Sequence, residues 1–251
     1  MKILPWDDFA ARREPGPWAV TIGVFDGVHL GHQRLVKAVL ESSKGRKTAA
    51  VTFRENPKKI LRPSSFRGNI FDLEAKLEAL AALGLDYCVL IDFSLNFGTL
   101  SGAEFLGILV GAGVSSIHVG PNFRCGHKMD TNAQCLAEMG SGMGTEVAIV
   151  DPVLKAGHPV SSSRIRNLIL EARLEEAAEL LGRPHRIKVG EGLGLPGDVA
   201  TPPPGLYKVV LRGEGWTRSD TVEILQGRLG IQGECEGLKS LDFIHSVSRE
   251  L

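Results

Sequence analysis

The sequence predicts an α/β chain: a doubly wound parallel sheet followed by a small β-rich, barrel-like module. Three observations carry that prediction. Through the first two thirds, short apolar β-branched runs alternate with stretches of helical periodicity, the pattern of a parallel sheet with helices on both faces. Polar, glycine-containing segments follow the strand-like runs, which is where ligands bind in such sheets. Beyond residue 183 the chain becomes rich in Gly and Pro, and the remaining apolar runs are mostly short and strand-like.

The elements justify themselves in order. Residues 19–24 form the first apolar run, and after a turn residues 31–40 are amphipathic at helical spacing. Residues 48–53 are a second strand. Leu73, Leu77 and Leu80 set a helix over 73–83 that Gly84 stops. A strand at 86–91, a helix at 103–110, a strand at 115–120 that runs into a polar loop, and a strand at 146–150 complete the set. Two helices follow, 161–170 and 174–181, the second closed by Gly182 and Pro184. Past a Gly/Pro stretch at 190–204, residues 207–211 and 221–225 read as strands and 238–247 as a final amphipathic helix. The domains expected are therefore 1–183 and 184–251, the second too small to build a large core of its own.

Composition narrows the function classes. The 251 residues are 43% hydrophobic and 23% charged with zero formal net charge, which suits an ordinary globular protein and argues against nucleic-acid or membrane-surface partners. Cys88, Cys125, Cys135 and Cys235 form no C-x-x-C pair and no secreted disulfide framework, so reduced thiols and a cytoplasmic location are expected. The first 14 residues carry Asp and Arg where a signal peptide needs an apolar core, and no apolar run is long enough for a membrane span.

Two segments carry chemistry. The first is Gly23-Val24-Phe25-Asp26-Gly27-Val28-His29-Leu30-Gly31-His32, at a strand-to-helix turn. Glycine lets backbone approach a bulky anion, the helix start offers free N–H groups, and imidazoles donate to phosphate oxygens. The plainer reading is a glycine-rich turn with solvent-facing histidines, and H-x-G-H alone does not decide between them. The second is Val160-Ser161-Ser162-Ser163-Arg164-Ile165-Arg166. One serine suffices for an N-cap, whereas three serines and two arginines at a helix start suit a polyphosphate.

Together these segments resemble the adenylyltransferase module of bacterial FAD synthetases, which are usually bifunctional with riboflavin kinase and belong to the nucleotidylyltransferase superfamily. The G-x-F-D-G-V-H-x-G-H string is intact, and residues 160–166 match the I-S-S-T-x-I-R-like segment with Ser163 in the threonine position. Residues 52–57, Leu100-Ser101 leading into Glu104-Phe105-Leu106, and residues 119–128 match in order, so the resemblance covers residues 15–185. The family often has T-F-x-P-H-P, where this chain has Glu55 and Asn56 in place of proline and histidine.

The resemblance implies a Rossmann-like sheet and transfer of AMP from ATP to FMN, with Mg²⁺ accompanying ATP. It implies catalytic roles for His29, His32, Ser162, Ser163 and Arg166, with the histidines on ATP phosphates and the others on the β- and γ-phosphates. Gly23, Val24, Phe25, Asp26 and Gly31 complete the ATP site, and Asn56, Asn122, Phe123 and Arg124 lie near the flavin. Asp26 has two readings, a turn-stabilising carboxylate or a ligand to Mg²⁺. Cys125, His127 and Cys135 with nearby His118 fit no compact zinc spacing.

In the family's C-terminal kinase barrel, a G-F-P-T-A-N-like segment serves metal and phosphate. Here Gly194-Leu195-Pro196 remains but the Thr-Ala-Asn does not, while Glu223 falls where the kinase base would lie. The expectation is a reduced barrel without kinase activity and a monofunctional FAD synthetase. The alternatives are a bifunctional enzyme, transfer to phosphopantetheine or nicotinamide mononucleotide, and a nucleotide- or flavin-binding regulator.

Overall fold

The computed structural model describes residues 1–94 and 96–247. By packing, the chain forms two compact units, Met1–Ser64 with Leu73–Pro159, and Ser65–Asp72 with the chain from Val160 onward. Among the described residues no helix is long and apolar enough to cross a membrane.

The first unit is built on six parallel strands: β1 (Lys2–Pro5), β2 (Trp18–Ile22), β3 (Lys47–Phe53), β4 (Tyr87–Ile91), β5 (Val114–Val119) and β6 (Glu146–Ile149). They lie in the order β1-β4-β3-β2-β5-β6. Every residue of β2 is buried and β3 is buried between its ends, as befits central parallel strands covered on both faces. Flanking helices are α1 (Trp6–Ala10), α2 (Leu30–Ser42), α3 (Pro57–Leu61), α4 (Leu73–Ala81), α5 (Gly102–Gly111) and α6 (Ala133–Gly142). From β2 the chain steps to β3 and β4 on one side, then crosses back to lay β5 on the other. The winding direction thus reverses between β2 and β5, and sheets of this kind take ligands beyond the carboxyl ends of the strands at that point.

Several elements here lie outside the sequence reading. β1 is an edge strand with only Leu4 buried, so it has no apolar signature. α6 contains Gly140, Ser141 and Gly142, poor helix formers. It is held by an Asn132 cap on Cys135 N (2.9 Å) and by packing so close that a Cβ on Gly140 would stand 2.7 Å from Val147 Cγ2. At α5, Ser101 and Glu104 form a reciprocal capping box, a structural role for that pair.

The second unit carries α7 (Ser162–Leu170) and α8 (Leu174–Leu181), the latter ending on left-handed Gly182. Its sheet is antiparallel: β7 (His185–Lys188), β8 (Gly205–Gly213), β9 (Thr217–Leu225), β10 (Arg228–Gly230) and β11 (Leu238–Val247), in the order β7-β11-β8-β9-β10. Leu174 packs into this sheet's core with Ile187, Tyr207, Leu211, Val222 and Phe243. Irregularities at Lys208/Val209 and Arg212/Gly213 bend the β8–β11 pairing and curl the sheet.

The helix expected at 238–247 is instead β11, hydrogen-bonded to β7 on one side and β8 on the other. Apolar residues at 238, 241, 244 and 247 mimic helical spacing, but the core-facing pair is Leu241 and Phe243, with period two. Asp242 between them obscured the strand. It is buried by two ion pairs, Arg186 Nε at 2.5 Å and Arg212 Nε at 2.9 Å.

Residues 65–72 join this unit through a bridge between Asn69 and Val199, with Ala200 N donating to Asn69 O at 2.6 Å. Gly68 is obligatory there: its φ is +84° and a Cβ would lie 2.8 Å from Ala200 N.

Candidate functional site

The turn after β2 is tightly wound. Phe25, Gly27 and Val28 all have positive φ (53°, 82° and 38°), a conformation that costs energy for the two non-glycine residues. The fully buried side chains of Phe25 and Val28 anchor it. Backbone and side-chain bonds fasten it to β3: Gly23 N donates to Val51 O (3.1 Å) and Thr52 Oγ1 to Val24 O (3.1 Å).

This winding makes His29 the N-cap of α2, its Nδ1 accepting from His32 N at 3.4 Å. Accepting there requires a bare Nδ1, so in the neutral ring the proton sits on Nε2. The two imidazoles stack at 3.7 Å between centroids with an interplanar angle of 16°, and Phe25 lies against His32 at 5.0 Å. The first turn of α2 holds no acidic residue, so the positive end of the helix is uncompensated from within. Asp26, in the turn that precedes the helix, is buried. The turn thus places His29, His32, Asp26 and the backbone of Gly23, Val24, Phe25 and Gly31 between the end of β2 and the start of α2.

The loop after β5 leaves the sheet from the neighbouring strand. Phe123 is half-buried against the core while Asn122 and Arg124 are exposed. Arg124–Cys125 pairs with Thr131–Asn132 in a short hairpin. Gly126, at φ +80°, could not be otherwise, since a Cβ would fall 2.3 Å from Gly102 N. His127 N donates to Leu100 O (2.7 Å) and Asp130 Oδ1 accepts from Gly102 N (3.1 Å), which fixes the loop to the start of α5.

Asn56 lies past the end of β3, buried, and caps α3 by accepting from Lys58 N at 3.1 Å. Among the described residues, Cys125, His127, Cys135 and His118 form no group of three that could hold a metal ion. Burial pushes the Cys125 thiol up to about 12, and His118 Nε2 lies within hydrogen-bond distance of Ser42 Oγ (2.7 Å) and Ser116 Oγ (3.1 Å).

In the second unit, Ser161 is the N-cap of α7, accepting from Arg164 N at 3.3 Å, so capping is discharged before Ser162 and Ser163. Ser163 is exposed. Arg166 is buried and spends Nε on Gly68 O at 2.7 Å, a backbone tie the sequence did not suggest. Glu223 sits on β9 opposite Leu206. After Pro196 the chain continues Gly197, Asp198 and a buried Val199, with neither Thr nor Asn.

One buried group escaped the sequence reading. Lys76 shares the core-facing stripe of α4 with Leu80 and donates to Phe53 O at 2.5 Å. A charge at an i+3 position of a leucine stripe was the signal that could have found it.

A family model described as FAD synthetase matches residues 11–164. The bifunctional riboflavin kinase/FMN adenylyltransferase of Listeria monocytogenes is 35% identical over 219 residues, covering 79% of this chain and 69% of that protein. The protein of the same description from Buchnera aphidicola subsp. Schizaphis graminum is 31% identical, covering 71% and 61%. That of Escherichia coli K12 is 27% identical, covering 78% and 68%. The chain thus spans only between 61% and 69% of these relatives' length. A crystal structure described as a macrolide-efflux protein from Streptococcus pneumoniae superposes with a TM-score of 0.85 at 23% identity, covering 98% of this chain and 91% of that one. At that identity the likeness speaks for the fold alone.

Proposed function

Since the chain belongs to the FAD synthetase family, a family of nucleotidyltransferases, we propose that it transfers AMP from ATP to FMN, giving FAD and pyrophosphate. The observation that carries this reading is the stacked His29–His32 pair at the start of α2, beside the point where the sheet reverses its winding.

The chemistry asks for alignment more than for proton transfer. The FMN phosphate has a second pKa of about 6, so it reaches the site already ionised and needs no general base. The protein must hold two anions in line and stabilise charge on the departing pyrophosphate. His29, with its proton on Nε2, donates to an ATP phosphate oxygen, and His32 does so beside it. The backbone of Gly23, Val24, Phe25 and Gly31 lines the nucleotide. Ser162, Ser163 and Arg166, on a helix start without acidic residues, hold the β- and γ-phosphates. Asn56, Asn122, Phe123 and Arg124 receive the flavin, with Phe123 offering a ring face and Arg124 a charge for the FMN phosphate.

Mg²⁺ fits the donor set in part. Asp26 offers a hard carboxylate oxygen, but among the described residues no group of three His, Cys, Asp or Glu side chains could hold a metal. The ion would therefore arrive on ATP, with Asp26 adding one ligand directly or through water, and would neutralise the phosphates.

In functional terms we divide the chain at 183/184. In packing, α7 and α8 belong with the chain that follows them. The module from 184 onward lacks the Thr-Ala-Asn of the kinase segment, so we propose a monofunctional enzyme acting in the cytoplasm. The relatives' bifunctional description and the position of Glu223 favour a second reading, in which kinase activity persists.

One experiment separates these. The purified chain is incubated with ATP, Mg²⁺ and either FMN or riboflavin, and the products are resolved by chromatography. FAD from FMN and nothing from riboflavin is expected. FMN appearing from riboflavin sinks the monofunctional reading, and absence of FAD in both arms sinks the adenylyl-transfer reading.

A further inference from the structure

Residues 65–72 stand between α3 and α4 in the chain but pack with the second unit, where they are bonded on two sides. Toward the C-terminal module they form a short parallel bridge. Asn69 N donates to Asp198 O at 2.7 Å, and Ala200 N donates to Asn69 O at 2.6 Å. Ala200 O in turn accepts from His185 Nε2 at 2.8 Å, which ties the bridge to β7. Toward α7 the segment meets two neighbouring residues. Arg166 Nε donates to Gly68 O at 2.7 Å, and Arg67 Nη1 donates to Asn167 Oδ1 at 3.4 Å. The far end is closed by buried Phe71, whose ring lies 4.7 Å from the Arg183 guanidinium.

Backbone geometry sets where the Gly68 carbonyl lies. With φ at +84°, and with a Cβ that would stand 2.8 Å from Ala200 N and 2.9 Å from Val199 C, only glycine lets the two backbones come this close. That carbonyl in turn sets Arg166. A guanidinium is planar and carries five N–H donors, so a bond from Nε fixes the plane in which the Nη donors lie. Arginine is long and rich in rotamers, and ordering it opposes the binding of an anion. A guanidinium ordered before its ligand arrives escapes that loss and presents its donors in one alignment.

We propose, on the footing of the adenylyl-transfer reading, that Gly68 is a positioning residue for the ATP phosphates, its carbonyl holding the Arg166 guanidinium in the plane that receives them. The bridge at Asn69 carries this station from the C-terminal module. Residues 198–200 therefore support adenylyl transfer, whether or not the module phosphorylates riboflavin.

The test uses the full chain with Gly68→Ala, Arg166→Met and the double variant, each assayed below its melting transition. FAD formation is followed with ATP and FMN varied separately, and binding of ATP with Mg²⁺ is measured by calorimetry. Gly68→Ala is expected to lower kcat/KM for ATP by about tenfold or more while leaving KM for FMN within about twofold. On the Arg166→Met background the same substitution should cost no more than about twofold, because the two residues act as a unit. A segment that serves packing alone would lower the melting temperature and cost the same on both backgrounds. Unchanged kinetic constants in Gly68→Ala, an equal cost on both backgrounds, or an equal rise in KM for both substrates overturns the proposal.

If Gly68→Ala does not fold, Phe71→Leu loosens the segment at its other end by removing the ring beside Arg183. It carries the same comparison with the same outcomes, at an expected loss of about threefold. Should the wild type bind ATP but make no FAD, the functional reading fails on its own. The role of Gly68 is then judged from ATP affinity across the same proteins: a loss confined to those that retain Arg166 supports it, and an equal loss on both backgrounds overturns it. A wild type that binds no ATP overturns both.

Discussion

The two sheets of this protein bury charge in opposite ways. In the parallel-sheet unit, the buried Asp26 lies in the histidine turn after β2, and the buried Lys76 reaches from α4 to the carbonyl that ends β3. In the antiparallel sheet, Asp242 lies in the middle of a central strand and is neutralised from both sides by Arg186 and Arg212. Asp26 lies in the turn beyond a strand end, where sheets of this kind take their ligands. Charge in mid-strand is consumed by its neighbours and serves the fold. The difference separates groups whose loss should cost activity from groups whose loss should cost stability.

That separation can be broken at several points. His32→Ala should lower kcat for FAD formation by about 10²-fold, as expected for removing one preorganised donor to developing charge. Its melting temperature should stay near the wild-type value. A stability loss large enough to explain the fall in kcat would erase the contrast.

Asp242→Asn should do the reverse. Removing one partner of a buried ion pair costs about 3–5 kcal/mol, and the half-exposed arginines bring the expected loss in urea unfolding to about 2 kcal/mol. FAD formation should persist at temperatures where the variant remains folded. A selective loss of turnover would place Asp242 in the catalytic machinery and contradict the comparison.

Acid sharpens the same point. Burial pushes Asp242 up, but hydrogen bonds from Arg186 and Arg212 outweigh it and hold the carboxyl below its ordinary range. Its contribution is therefore present above the unfolded value and lost as pH falls through the folded one. His185 acts over a higher window. Burial lowers it from 6.5 to about 4, so the unfolded chain takes up the proton first and stability declines as pH drops from 6.5 towards 4. Unfolding of His185→Gln followed against pH should show a flatter slope across that window, and an unchanged slope would refute the assignment.

The smallest effect expected is at the α5 cap. Ser101→Ala removes one arm of a capping box and should cost about 1 kcal/mol. Because α5 begins where the loop after β5 is fastened, KM for FMN should rise more than KM for ATP. Equal changes in both would dissociate that loop from the flavin.

Much of the first unit was legible because central parallel strands need continuous apolar runs, and β2 and β3 have them. The histidine turn was legible because Gly27 and the paired histidines are local chemistry at fixed spacing. α6 was not, since Gly140 and Gly142 lower helix propensity and only packing against the neighbouring strand restores it. β11 was misread because Asp242 carries a charge whose partners, Arg186 and Arg212, come from other strands.

What the sequence by itself determined are the features encoded within a few residues: the buried strand runs and the serine cap at the start of α7. Only the tertiary structure decided the order of the strands, the assignment of residues 65–72 to the second unit through Gly68 and Asn69, and the buried station of Lys76. The physical reason is range. Periodicity and capping are settled by neighbours along the chain, whereas the partner that makes a buried charge tolerable is brought in by the fold from a distant segment.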